Sequence, residues 1–252
     1  MAEPTNDKNI GQRLGTALRE RDWAGVLIEL AIVMVGVFLG IEATNWNQAR
    51  QDRAQEKRYY AQIVVDLRRD VETLQDSQRL SRDHDAAAET LIHAMDDGIP
   101  ARMTASDFAS SVQLAGFLYI PSPTRRTYDE LISTGNLRLL RDGEAKDATA
   151  AYYEAFAELR QWDVLLRQQQ ADYWSASAGI VPRRVLQAPF ADADLRVSPA
   201  EAQEILKRAR MTPRLHDLLV GMAAHQARVR RDSIQLEAQA RALINKLQPL
   251  SS

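Results

Sequence analysis

Cysteine is absent from the chain, which excludes a disulfide scaffold and a thiolate metal site. An excess of one charge is absent too. Lys and Arg number 32 against 34 Asp and Glu, a formal net charge of -2, so no strong electrostatic case exists for nucleic acid. Glycine (11) and proline (9) are sparse. They form neither a Gly-rich phosphate loop nor a GxSxG elbow. Histidine occurs only at His84, His93, His216 and His225. Each pair is separated by nine positions, which places its members on opposite faces of a helix, and no HExxH occurs. No ExxH pair supports a di-iron bundle. Glu89 and His93 share a helix face that Asp85 and Asp96 extend, a pattern commoner for a solvated acidic stripe than for a metal site. No cofactor is implied. No stretch alternates β-branched and aromatic residues in the way strands require.

Long apolar runs are also missing, with one exception. Ala24 to Thr44 reads AGVLIELAIVMVGVFLGIEAT, and only Glu29 and Glu42 in it are charged. At ~1.5 Å per helical residue it spans roughly 30 Å, the hydrocarbon thickness of a bilayer. A secretory leader fits less well. Its apolar region is about 7–15 residues long and ends in a small-x-small site. Here the run follows a polar tail and leads into Asn45, Trp46 and Asn47. A buried core helix would need a strongly apolar domain around it, and the remaining sequence is amphipathic. Trp23 and Trp46 bracket the run as membrane-interface anchors do. The bilayer is thus the first expected partner.

Both acidic residues lie within about two turns of an end, close enough to reach headgroup water. Glu29 has a second reading. At about 100° per residue, Glu29, Val33, Gly36, Gly40, Ala43 and Asn47 fall on one face. Gly36 and Gly40 form a small-xxx-small pair, which lets two helix backbones approach closely in lipid. A protonated Glu29 in that seam would donate a hydrogen bond to a second copy or to a partner membrane protein. Glu42 lies on another face.

Orientation rests on a narrow margin. Arg13, Arg19 and Arg21 precede the run, and Arg50, Arg53, Lys57 and Arg58 follow it. Arg21 is the nearest positive charge, which favours an N-terminus in the cytoplasm and a C-terminal domain outside it. The organisation expected is a tail over 1–22, a transmembrane helix over 23–46 and a helical domain over 47–250. The fold class is all-α: a single N-terminal transmembrane helix continuing into a soluble antiparallel helical bundle.

The helix continues without Pro or Gly from Asn47 to Leu80, and Tyr60, Val64, Leu67, Val71 and Leu74 form an apolar stripe on it. Gly98 and Pro100 stop it. Thr104 or Ser106 caps a short helix, and Thr124 starts another that Gly135 and Asn136 interrupt. A long helix is expected from Glu144 to Trp174. Ser175–Val197 reads as the longest irregular stretch. Ser198, Pro199 and Glu201 read as N-cap, N1 proline and N3 acid, and Thr212 with Pro213 repeats the start. The last helix sets Leu215, Leu219, Met222, Val229, Leu236, Ala240, Ile244 and Leu247 on a 3.6-residue period. Three long helices should pack antiparallel, with the shorter ones against one end. The paired aromatics Tyr59-Tyr60, Tyr152-Tyr153 and Tyr173-Trp174 suit core and rim better than a ligand cage.

The run from Leu27 through NWNQARQDRAQEKRYYAQIVVDLRRDV resembles an uncharacterised group of bacterial single-pass membrane proteins. Those carry an apolar anchor ending in an NNWNE-like motif, followed by a charged helix. TYDELISTGNLRLL, from Thr127 to Leu140, is similar to their TYxELxxSGNLxLI segment, with a paired-tyrosine helix after it. Thr44 departs from the pattern, where many relatives have Asn. The resemblance covers the first two-thirds of the chain. It implies bacterial origin and anchoring in the inner membrane, and it implies no catalytic residues.

These features favour a membrane-anchored helical interaction or sensing module without catalytic activity. One rival is an enzyme whose cleft joins 127–140 with 175–197. The other is an accessory subunit of a membrane complex. Tyr128, Glu130, Gly135 and Asn136 mark the segment on which they differ. An enzyme should gather Tyr128, Glu130 and Asn136 in a deep pocket, whereas an interaction module should present an exposed apolar patch.

Overall fold

A computed structural model describes residues 23–187 and 195–251, with side chains from Leu27 onward. The 1–22 tail, with Arg13, Arg19 and Arg21, lies outside the described residues. Every described element is a helix, α or 3-10. The chain divides into two units, Met1–Gln55 and Glu56–Ser252. Helix α1, Trp23–Asp97, contributes to both.

In the second unit the rest of α1 carries the bundle. Its end is a glycine stop: Gly98 has φ 94° and donates its N–H to the Ala94 carbonyl at 2.9 Å. Helix α2, Ala105–Ala115, is capped by Thr104, whose hydroxyl accepts from the Asp107 N–H. Helix α3, Arg126–Ser133, leads through Gly135 (φ 69°) into a 3-10 turn over Asn136–Leu139. Helix α4, Gly143–Arg160, starts at Asp142, which accepts from the Ala145 N–H at 2.8 Å. Helices α5, Asp163–Ser177, and α6, Arg183–Gln187, follow. Ser198, Pro199 and Glu201 form a complete capping box at the start of α7, Pro199–Arg210. The Ser198 N–H and then the Arg184 guanidinium hold the Glu201 carboxyl down to about 2. Helix α8, Pro213–Leu247, closes the bundle, with a 3-10 turn over Gln248–Ser251.

Sequence expectations about helix ends need correction at three places. The helix expected over Glu144–Trp174 is two, α4 and α5. Neither Gly nor Pro marks the joint at Gln161 and Trp162. Both residues keep helical dihedrals, and Asp163 bonds Arg167 and faces Arg160 to begin the next helix. The stretch expected to be irregular from Ser175 is helical over 175–177, the end of α5, and over Arg183–Gln187, which is α6, while 178–182 and 195–197 are turn or coil as expected. Ile180, Val181, Val185, Leu195 and Val197 are buried, and 188–194 lies outside the described residues. Thr212 stands at the N-cap of α8 with Pro213 after it, as expected, but its side chain makes no cap bond to the helix. Its hydroxyl bonds back to the Arg208 carbonyl at 3.0 Å.

Cross-links fix the directions. Glu56 meets Arg141 just before α4, and Asp70 meets Tyr152 within it, so α4 runs with α1. Ser77 meets Ser233 and Asp85 meets Arg230, so α8 runs against α1. The short helices are not all at one end, because α3 is tied beside Asp66.

Two separate cores result. The Glu56-end core joins Tyr60, Ile63, Leu67 and Leu74 of α1 with Leu131, Tyr153, Phe156, Leu236 and Leu243. The far core joins Leu91, Phe108, Tyr173, Val185, Ile205, Leu219 and Met222. Along α8 the buried positions Leu215, Leu219, Met222, Gln226, Val229, Ser233, Leu236, Ala240, Leu243 and Leu247 step by four and three, and Leu218 is buried beside them. Ile244 is only half-buried. The alternation continues through Gln226 and Ser233, where the apolar pattern of the sequence lapses.

Candidate functional site

Among the described residues, the side chains of the apolar part of α1 are exposed. From Leu27 onward α1 is long and apolar enough to cross a membrane, and no residue of its most apolar window is buried. Glu29, Gly36 and Gly40 stand exposed on one helix face. A Cβ added at either glycine would meet nothing within 4 Å, so no contact among the described residues requires glycine there. Thr44 donates its hydroxyl to the Gly40 carbonyl at 2.9 Å, which satisfies that polar group locally. Trp46 is 68% exposed, with the Arg50 guanidinium 5.9 Å above its ring. Trp23 opens the helix, and its side chain lies outside the described residues.

The segment from Thr127 to Leu140 is clasped onto α1 by polar side chains. Helix α3 has no cap of its own, since Arg125 makes no side-chain cap bond. Asp66 supplies the cap from α1. Its Oδ2 accepts from the Thr127 N–H at 3.2 Å and from the Thr127 hydroxyl at 2.5 Å. One turn on, Asp70 accepts from the Thr124 N–H at 2.6 Å and from the Tyr152 hydroxyl at 2.9 Å. Both carboxylates are fully buried. They are held by backbone N–H groups and by the positive end of α3. Burial still raises the Asp70 carboxyl above its usual range, against the pull of its hydrogen bonds. The Tyr152 hydroxyl is raised too, by burial and then by the Asp70 charge.

Tyr59 continues the clasp. Its hydroxyl donates to Glu130 at 3.2 Å and accepts from the Asn136 amide at 3.0 Å. Glu56 accepts from the Arg141 N–H at 2.7 Å. Beside it the Tyr60 hydroxyl is pushed up to about 12, by burial first and by Glu56 second. Tyr128 is stacked on Tyr153 at 4.5 Å, with the Arg125 guanidinium 5.6 Å from its ring. The structure therefore brings Glu130 and Asn136 together through Tyr59 and turns Tyr128 into the Tyr153 stack. Gly135, at φ 69°, is the turn that lets Asn136 return to Tyr59.

The two segments of the expected cleft belong to different cores. Leu131 and Leu139 are buried with Tyr60 and Phe156, whereas Val181, Val185 and Val197 are buried with Leu91 and Phe108. A groove of about 380 Å³ instead lies between α4 and α8, lined by Glu158, Trp162, Arg228, Asp232 and Gln239 among others. Arg228 sits 4.1 Å over the Trp162 ring. Next to it Val164 is 81% exposed and Leu165 53%. Of the acidic stripe, Glu89 and His93 face solvent, and Asp85 is bonded to Arg230 at 3.1 Å.

Sequence reading missed Asp66, Asp70 and Tyr59. The signal was present in VVDLRRDV, where two carboxylates at i and i+4 sit close to the apolar stripe. No protein-family model, curated protein or solved structure matches the chain.

Proposed function

We propose that the chain is a single-pass inner-membrane protein of bacterial type, related to the group it resembles. Its helical bundle serves as an interaction or sensing module without catalytic activity. The N-terminus lies in the cytoplasm and the bundle outside it. The anchor pairs with a second copy or with a partner membrane protein through Glu29, Gly36 and Gly40. The observation that carries this reading is the exposed face on which those residues stand, two of them glycines that no contact among the described residues needs. Close approach of helices in lipid depends on small residues, because apolar side chains gain little by leaving lipid. A module that works by contact also accounts for the polar groups of Thr127–Leu140, which are spent on α1 rather than aimed at a pocket.

The test is a membrane two-hybrid assay on the full chain, with in-membrane crosslinking to identify the partner. Replacing Gly36 and Gly40 with Ile should weaken association, whereas changes at Val37 and Leu39 should leave it intact. Glu29→Gln should be tolerated better than Glu29→Leu. The hydrogen bond at stake averages about 0.6 kcal/mol. Equal signal from wild type and the double Ile variant would remove the seam from the account. A C-terminal reporter active only outside the cytoplasm should be active, and activity confined to a cytoplasmic reporter would reverse the orientation.

A further inference from the structure

Between the two cores the α1–α8 interface is polar. On α1 the buried positions run Leu74, Ser77, Ser81, His84, Ala88 and Leu91. On α8 they run Met222, Gln226, Val229, Ser233 and Leu236 in the opposite direction. The Ser77 and Ser233 hydroxyls meet at 3.1 Å, which sets the register. Stepping from there, Val229 comes opposite Ser81 and Gln226 opposite His84. Neither core includes any of Ser77, Ser81, His84, Gln226, Val229 or Ser233.

This seam is poorly satisfied. Ser81 Oγ, His84 Nδ1 and Gln226 Oε1 are buried with no hydrogen-bond partner among the described residues, as are Gln169 Oε1 and His225 Nδ1 at its edge. Such groups weaken the layer that holds them. Gln226 does donate its amide to the Phe117 carbonyl at 2.5 Å, and the Phe117 ring lies 6.2 Å from His84.

A proton on His84 has no good counter-charge. On α1, Asp83 is exposed and Asp85 is bonded to Arg230. On α8 the charged groups are Arg228 and Arg230, both cations, and His225 titrates in the same direction. Asp232 is paired with Arg228 at 3.6 Å. Helix α5 presents neutral Gln169, and the segment after α2 presents the Phe117 ring and carbonyl. A buried imidazolium there would be desolvated and nearly unpaired.

We propose that the seam formed by Ser77–His84 and Gln226–Ser233 is an acid-triggered hinge, at which protonation of His84 loosens the far core from the Glu56-end core. Burial lowers the His84 imidazole below its ordinary value, with Asp83 opposing weakly. His225 is lowered by burial and then by Arg228. The sign follows. A histidine lowered in the folded state stabilises above the unfolded value of about 6.5, and that stability is lost as pH falls through the lower, folded value.

The experiment is amide hydrogen exchange on the full chain in detergent or lipid nanodiscs at about pH 7.5 and about pH 5, corrected for intrinsic rates. Amides over 77–88 and 222–233 should lose protection by about tenfold at the lower pH. Amides over 60–74 and 236–247 should change much less. H84N should abolish the difference between the two regions. Unchanged protection in the seam, or the same tenfold loss in H84N, would overturn the proposal. Should H84N fail to fold, titration of the His84 ring by NMR in the native chain decides. A midpoint well below 6.5 supports the hinge, and one at or above it overturns the proposal.

Discussion

Between Leu27 and Ile41, α1 exposes every large apolar side chain by 49% to 66%, whereas Ile63, Leu67 and Leu74 of the same helix are completely buried. The difference is in the pattern around the helix. The first stretch is apolar on all sides, so no single face directs it to a protein neighbour. The second carries apolar residues at steps of three and four among Arg68, Arg69, Glu72 and Gln75, so one side is given to the bundle and the other to water. One continuous helix thus presents two surfaces suited to two solvents.

The largest effect should come from cutting the buried stripe. Leu67→Ala should lower the stability of the full chain by about 2–5 kcal/mol, because the cavity adds to the lost transfer energy. Val37→Ala, in the apolar stretch, should leave bundle stability unchanged. Melting followed by circular dichroism separates the two. Equal losses would mean that the two halves of α1 do not differ as described.

Asp70 sharpens the comparison, because the clasp is a polar device inside the buried half. Asp70→Ala leaves the Thr124 N–H and the Tyr152 hydroxyl without an acceptor and should cost about 1–3 kcal/mol. Asp70→Asn should cost less. It keeps one acceptor oxygen and removes a charge whose burial is unfavourable. Denaturant unfolding of both variants checks this ordering, and a larger loss in the Asn variant would contradict it.

The long apolar helix, the helical class and most helix ends were legible in the sequence, for physical reasons. All-round apolarity, Thr104 and the Ser198–Glu201 box are local signals, and local signals survive folding. The clasp was hidden because Asp66 and Asp70 read as part of a charged face until α3 is brought against them. The joint at Trp162 was hidden because its break involves neither Gly nor Pro. The polar seam was hidden because its period is carried by Ser77, Ser81, His84, Gln226 and Ser233, which an apolar pattern skips.

A smaller effect contrasts the glycines of the two surfaces. Gly135→Val should cost about 1 kcal/mol or more, since φ 69° strains any side chain there. Gly36→Val, at an ordinary helical position with open space around it, should leave bundle stability unchanged. An unchanged melting temperature for Gly135→Val would mean that the turn relaxes at no cost.

The measurement closest to the central claim is alkaline carbonate extraction of membranes from cells making the full chain. Insertion of the apolar half of α1 predicts that the protein stays in the membrane pellet at high pH and at high salt. Its release into the supernatant would contradict the assignment of that half to lipid.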